Sequence, residues 1–199
     1  MIRLAFVLVF VMFLSACATR PSPPEGKINL PAQLRTLDQI KQWQINGKLA
    51  LKGPEQSVSA SMRWQVDDPL FSFRLSNFLG VTLVDMTQTA EGARLEADDE
   101  VYTDPSASRL LYQTTGWDIP LAQLLSWVKG VPLAADSYTL NENGLLRQLT
   151  PGCQQCRGWV VDYAGYGQVE DLWLPHNIKL TNTTDPNQWI KIRITQWTL

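Results

Sequence analysis

From Ser57 to Val66 the chain alternates without a break. Val58, Ala60, Met62, Trp64 and Val66 fall on one side, and Ser57, Ser59, Ser61, Arg63 and Gln65 on the other. A period of two places every second side chain on one face of a pleated strand and leaves a helix no coherent apolar stripe. A strand apolar on one face only belongs in an antiparallel sheet that covers a core on one side.

The pattern recurs. Trp43, Ile45, Leu49 and Leu51 oppose Gln42, Gln44, Asn46 and Lys48. Phe71, Phe73 and Leu75 alternate with Ser72, Arg74 and Ser76, and Ile190, Ile192 and Ile194 with Lys191, Arg193 and Thr195. Gly53-Pro54, Asp67-Asp68-Pro69 and Glu91-Gly92 are turn signals between such runs. Further strands are expected over 81–86, 93–97, near Tyr138, and over 145–149, 159–163 and 174–180.

Three segments read as helices. Pro31 to Trp43 carries Leu34, Leu37 and Ile40 at helical spacing. Asp104-Pro105 reads as an N-cap and first helical position ahead of Leu110, Leu111 and Tyr112, with Gly116 as the stop. Asp118-Ile119-Pro120 opens a third around Leu121, Leu124, Leu125 and Val128, closed by Lys129-Gly130 with Pro132 beyond.

The fold class that follows is mainly β: a strongly curved antiparallel sheet, an incomplete open barrel of about nine to eleven strands, with two or three helices over its open side. An apolar cavity is expected between sheet and helices. Its candidate lining is Trp43, Ile45, Leu49, Met62, Trp64, Phe73, Leu75, Leu121, Leu124, Trp127, Ile192 and Ile194. Periodicity leaves open whether these side chains line a hollow or fill it.

The N-terminus is an address. Leu4 to Leu14 is an apolar run behind Arg3, too short to span a bilayer and shaped like a secretory signal. It ends in Leu14-Ser15-Ala16-Cys17, which resembles the lipobox of bacterial lipoproteins, where the Cys is lipidated and becomes the first residue. The expected division is a signal peptide over 1–16, a lipidated Cys17 and Pro-rich tether over 17–30, and one folded domain over 31–199.

Chemistry is sparse. The net charge of −2 argues against a nucleic-acid surface. A single His, His176, leaves Ser-His-Asp and multi-His metal chemistry without their parts. The chain contains no nucleophile elbow, phosphate loop or dinucleotide fingerprint. Asp67-Asp68 and Asp98-Asp99-Glu100 read as solvated turns rather than a glycosidase pair. Cys153 and Cys156 read as a loop disulfide, with free thiols as the alternative. No cofactor, no metal and no enzymatic activity are expected.

Ser76-Asn77-Phe78-Leu79-Gly80 stands apart. It joins two strands and puts two large apolar residues where turns are polar. Phe78 and Leu79 either fold back onto the core or protrude toward a membrane or partner.

Taken in order, the motifs resemble one family. They are the lipobox, Trp43-x-Ile45-x-Gly47-x-Leu49-Ala50, Ser59-Ala60-x-x-x-Trp64 and Asn77-x-Leu79-Gly80, then Leu121-x-x-Leu124-x-x-Trp127-x-x-Gly130-x-Pro132. Trp159-x-Val161-x-Tyr163-x-x-Tyr166, Leu174-Pro175 and Ile192-x-Ile194-x-x-Trp197 complete the series. The order is similar to that of LolB, the outer-membrane lipoprotein receptors. The resemblance implies a lipid-anchored, monomeric protein on the periplasmic face of the outer membrane. It would take lipoproteins from a soluble periplasmic carrier resembling LolA, hold their acyl chains in the cavity and insert them into the inner leaflet of that membrane. It also implies that Leu79, flanked by Phe78 and Gly80, is the membrane-insertion residue. Phe78 replaces a proline usual in that loop, and Cys153 and Cys156 are not a family hallmark. The alternative is a structural or assembly lipoprotein with a filled core, and an envelope hydrolase stands third.

Overall fold

The computed structural model describes residues 23–53, 57–117, 119–156 and 158–199. The expected signal peptide, Cys17, Pro54 and Asp118 lie outside them.

Eleven strands form one antiparallel sheet. They are β1 (Gln42–Lys52), β2 (Ser57–Asp67), β3 (Leu70–Ser76), β4 (Thr82–Thr89), β5 (Gly92–Ala97), β6 (Glu100–Asp104), β7 (Ser137–Leu140), β8 (Leu146–Thr150), β9 (Trp159–Val169), β10 (Leu172–Asn182) and β11 (Trp189–Thr198). Their order is β6-β5-β4-β3-β2-β1-β11-β10-β9-β8-β7, so the C-terminal strand closes onto the first and β6 and β7 are free edges. The architecture is the expected mainly β one, an open sheet rather than a closed barrel. Among the described residues three α-helices accompany it: α1 (Leu30–Gln39), α2 (Ala107–Thr115) and α3 (Leu121–Trp127).

The alternation of β2 appears as burial. Ala60, Met62, Trp64 and Val66 are buried while their neighbours are exposed. Gly47 departs from regular pairing at a bulge against β11, where a Cβ would collide with the backbone of Arg193 and Ile194.

One helix ties two distant strands together. Ala107, at the start of α2, donates its N–H to Gln88 of β4, and Trp117, just past the end of α2, stacks on Trp159 of β9. In a flat sheet β4 and β9 would stand about 29 Å apart at ~4.8 Å per strand. The helix bridges them with about 15 Å of axial rise. The helix and the side chains at its two ends thus tie β4 to β9 across one face of the sheet.

Three expectations need correction. The first helix ends at Gln39, with Ile40 extended, rather than at Trp43. Lys129 takes the carbonyls of Leu37 and Ile40, and Trp43 is needed in the inward row of β1. The N-cap of α2 is Ser106, not Asp104. Residues 100–104 are still extended, paired with β5 in a strand that sequence reading missed. Asp104 instead accepts from the Ser106 N–H and from Arg109 Nε. Finally, part of the segment expected to be a free tether is held. Asn143 Nδ2 donates to the Pro24 carbonyl and Ile28 N–H donates to the Asn143 carbonyl.

Candidate functional site

The site is built from the inward rows of β1, β2, β3 and β11 and from α3. Trp43, Ile45, Leu49, Met62, Trp64, Leu75, Leu124, Trp127, Ile192 and Ile194 are buried, and Phe73 and Leu121 are half-buried against the same cluster. Period two in the strands and the spacing within α3 bring all twelve predicted residues together.

At the centre the aromatic rings meet edge to face. Trp64 lies 5.2 Å from Trp43, 5.7 Å from Phe73 and 6.3 Å from Phe71 between centroids, and Trp197 lies 5.7 Å from Trp43. Sequence reading left Phe71 and Trp197 out of the cavity; Phe71 follows the inward alternation of β3, whereas Trp197 breaks that of β11 and is turned inward by the register shift at Asn46/Gly47. The Trp64 Nε1–H is buried without an acceptor among the described residues.

Polar groups pin the cover down at its margins. Tyr163 donates its hydroxyl to the Trp127 carbonyl, and Tyr166 to that of Leu146. Burial pushes both phenols above their ordinary range. Trp127 Nε1 donates to Asp136. Lys129, almost wholly buried, caps the last carbonyls of α1, and burial lowers its ammonium below the usual lysine value.

Two grooves open on the surface. One of about 1010 Å³ runs between α1 and the β9–β10 turn, the other of about 430 Å³ lies beside β5, and none of the twelve residues lines either. The twelve side chains are buried or half-buried within one apolar cluster.

The β3–β4 loop settles its own alternatives. Phe78 is 93% exposed and Leu79 73%. Neither folds back. Asn77 holds the loop, its Oδ1 accepting from the N–H of Leu79 at 2.9 Å and of Val81 at 3.0 Å, and Gly80 adopts φ +83°. Val81, 57% exposed, extends the apolar tip.

The remaining candidates serve structure. Cys153 and Cys156 are bonded to each other in the β8–β9 connection, their Cα atoms 5.2 Å apart. His176 Nδ1 meets the Ile194 carbonyl at 3.0 Å. Asp98 and Asp99 form the exposed β5–β6 turn at positive φ, and Asp68 pairs with Lys41 at the opposite end of the sheet.

This combination of open sheet, apolar interior and protruding loop has a match. The family model described as outer membrane lipoprotein LolB covers residues 41–197. The chain belongs to the LolB family. An outer-membrane lipoprotein LolB of Vibrio cholerae is 37% identical over 99% of this chain and 96% of its own length. Another LolB, from Psychromonas ingrahamii, is 34% identical over 96% and 94%. A LolA superfamily protein from Nitrosomonas europaea, at 10% identity and a TM-score of 0.55, shares the fold over 86% of this chain and 94% of its own. In this LolB chain the loop residues Asn77, Leu79 and Gly80 and the inward aromatic rows all fall within the matched span.

Proposed function

We propose that this protein is an outer-membrane receptor that accepts lipoproteins from a soluble periplasmic carrier, shelters their acyl chains against the inward rows of the sheet, and inserts them into the outer membrane. Cys17 anchors it there by lipidation. The observation that carries the reading is the exposed pair Phe78 and Leu79, held out by Asn77 beside an interior of uninterrupted apolar side chains. An apolar tip in water is costly unless it meets a membrane or partner.

The physical need is clear. Each methylene of an acyl chain costs about 0.8 kcal/mol in water, so the chains must pass between apolar shelters. Contacts without directional bonds suit many cargoes that share one lipid group. The unpaired Trp64 N–H adds one polar handle, which an acyl carbonyl entering the interior would satisfy.

The deciding experiment titrates the chain with a fluorescent fatty acid and measures transfer of a lipoprotein from its carrier. Saturable binding together with transfer is expected. A chain that binds no probe and accepts no cargo is a structural or assembly lipoprotein, and the receptor reading falls.

A further inference from the structure

The outer face of the four central strands is almost purely cationic. β10, β11 and β1 contain no acidic residue, and β2 contains one, Asp67 at its far end. The same strands carry Lys48, Lys52, Arg63, Lys179, Lys191 and Arg193, in a chain whose net charge is −2.

Register packs these cations together. Lys48 stands directly opposite Arg193, while Lys179 lies between Lys191 on β11 and Asp162 on β9. Like charges across a strand pair repel, so the Lys48–Arg193 pairing costs the fold stability and is not explained by it. Among the described residues, none of the four ion pairs involves any of the six. Arg63 donates only to Gln44, and Lys191 sits 4.5 Å over the ring of half-buried Trp189.

The row leads to the apolar loop. Arg193 pairs with Lys48, Lys48 with Ser61, and Ser61 with Ser76, the residue before Asn77. Lys48 is thus about 10 Å, two strand spacings, from the base of the loop.

We propose that this cationic face docks on the anionic headgroups of a phospholipid bilayer and lays the domain on its convex side with the loop tip at the membrane surface. The proposal rests on the receptor reading for the loop's target. Charge complementarity and the adjoining apolar tip point to lipid, and Trp189 supplies the amphipathic ring typical of interfaces.

The tether favours the same posture. Pro24 is held at the β7–β8 turn, which belongs to the opposite end of the strands from the β3–β4 loop. Residues 17–23 reach at most about 24 Å. A domain lying on its side offers both the anchor and the loop to one bilayer, whereas an upright one lifts one of them away.

The test uses the chain carrying Cys17→Ala, secreted behind an ordinary signal, so that no lipid anchor contributes. It is floated with phosphatidylethanolamine vesicles with and without about 30% phosphatidylglycerol. Preference for the anionic vesicles is expected, largely lost near 0.5 M salt, where the Debye length falls to about 4 Å. The triple variant Lys48→Gln, Lys191→Gln, Arg193→Gln should lose about a hundredfold on anionic vesicles, at about fivefold per cation. Its melting temperature should hold or rise, because repulsion is removed. Leu79→Ser, which removes the apolar contact without adding charge, should weaken both vesicle types alike and keep the salt dependence. Equal binding of the parent to both vesicle types, or an unchanged preference in the triple variant, overturns the proposal. A triple variant that binds vesicles normally but accepts cargo slowly also overturns it, and shows that the cations face the carrier. Failure to bind the fatty-acid probe would instead sink the receptor reading and leave the vesicle result standing.

Discussion

Trp117 stacks on Trp159 with centroids 6.2 Å apart and planes 24° from parallel. The pair joins the end of α2 to β9 and closes the helical cover over the sheet. The Trp117 ring also fills the space beside Gly53, where a Cβ would come within 2.9 Å of it.

Trp117→Ala should therefore loosen the cover. The expected loss is about 3 kcal/mol of stability, for a buried tryptophan with its ring contact. Uptake of a fluorescent fatty acid should become faster. Urea unfolding and stopped-flow binding check this together. Slower or unchanged uptake would show that α2 is not the moving part.

Leu79→Glu should accept a lipoprotein from the carrier as well as the parent does, because Leu79 touches none of the buried cluster. Delivery to membranes should fall at least tenfold, since a carboxylate in the bilayer interface costs more than 1.4 kcal/mol relative to leucine. Unimpaired delivery in a two-step transfer assay would remove the loop from the insertion step.

Lys129→Met should cost about 2 kcal/mol, from two charge-assisted bonds to the Leu37 and Ile40 carbonyls at 3.0 and 2.7 Å. Exchange of amide hydrogens in α1 should rise while the central strands stay protected. Uniform loss of protection would show that α1 and the sheet unfold as one.

Alkaline pH should destabilise the domain. Tyr163 and Tyr166 titrate above the ordinary 10.0 in the fold because burial disfavours the phenolate. The unfolded chain then binds fewer protons above that value, so stability is intact below pH 10 and falls as pH rises beyond it. Tyr166→Phe, which removes one such group and its bond to Leu146, should be less stable at neutral pH yet lose less on going alkaline. Urea midpoints from pH 8 to 11 provide the comparison.

Much of this was legible from local pattern. Apolar runs and turn signals located ten of the eleven strands, and period two named the inward residues of β1, β2, β3 and β11 as far as Ile194, because strand side chains alternate between faces. The exception, β6, reads Glu100-Val101-Tyr102-Thr103-Asp104; it is exposed at nearly every position, as is β7, and the adjoining Asp104-Pro105 helix signal masked it. The cap of α2 was misplaced for a related reason. Asp104 satisfies local donors from the end of a strand as readily as it would from a helix cap, and pairing with β5 decided between the two.

The amino-acid sequence by itself determined which side chains of the regular strands face inward, where α2 stops and which end of the molecule bears an anchor signal, since each depends on neighbours within a few residues. Tertiary structure alone decided three things. The tie between β4 and β9 follows from α2 lying across one face of the sheet. The exposure of Phe78 and Leu79 follows from Asn77 holding the loop away from the core. The cationic face follows from strand register, which sets Lys48 against Arg193 and Lys179 against Lys191 although no window of sequence contains either pair.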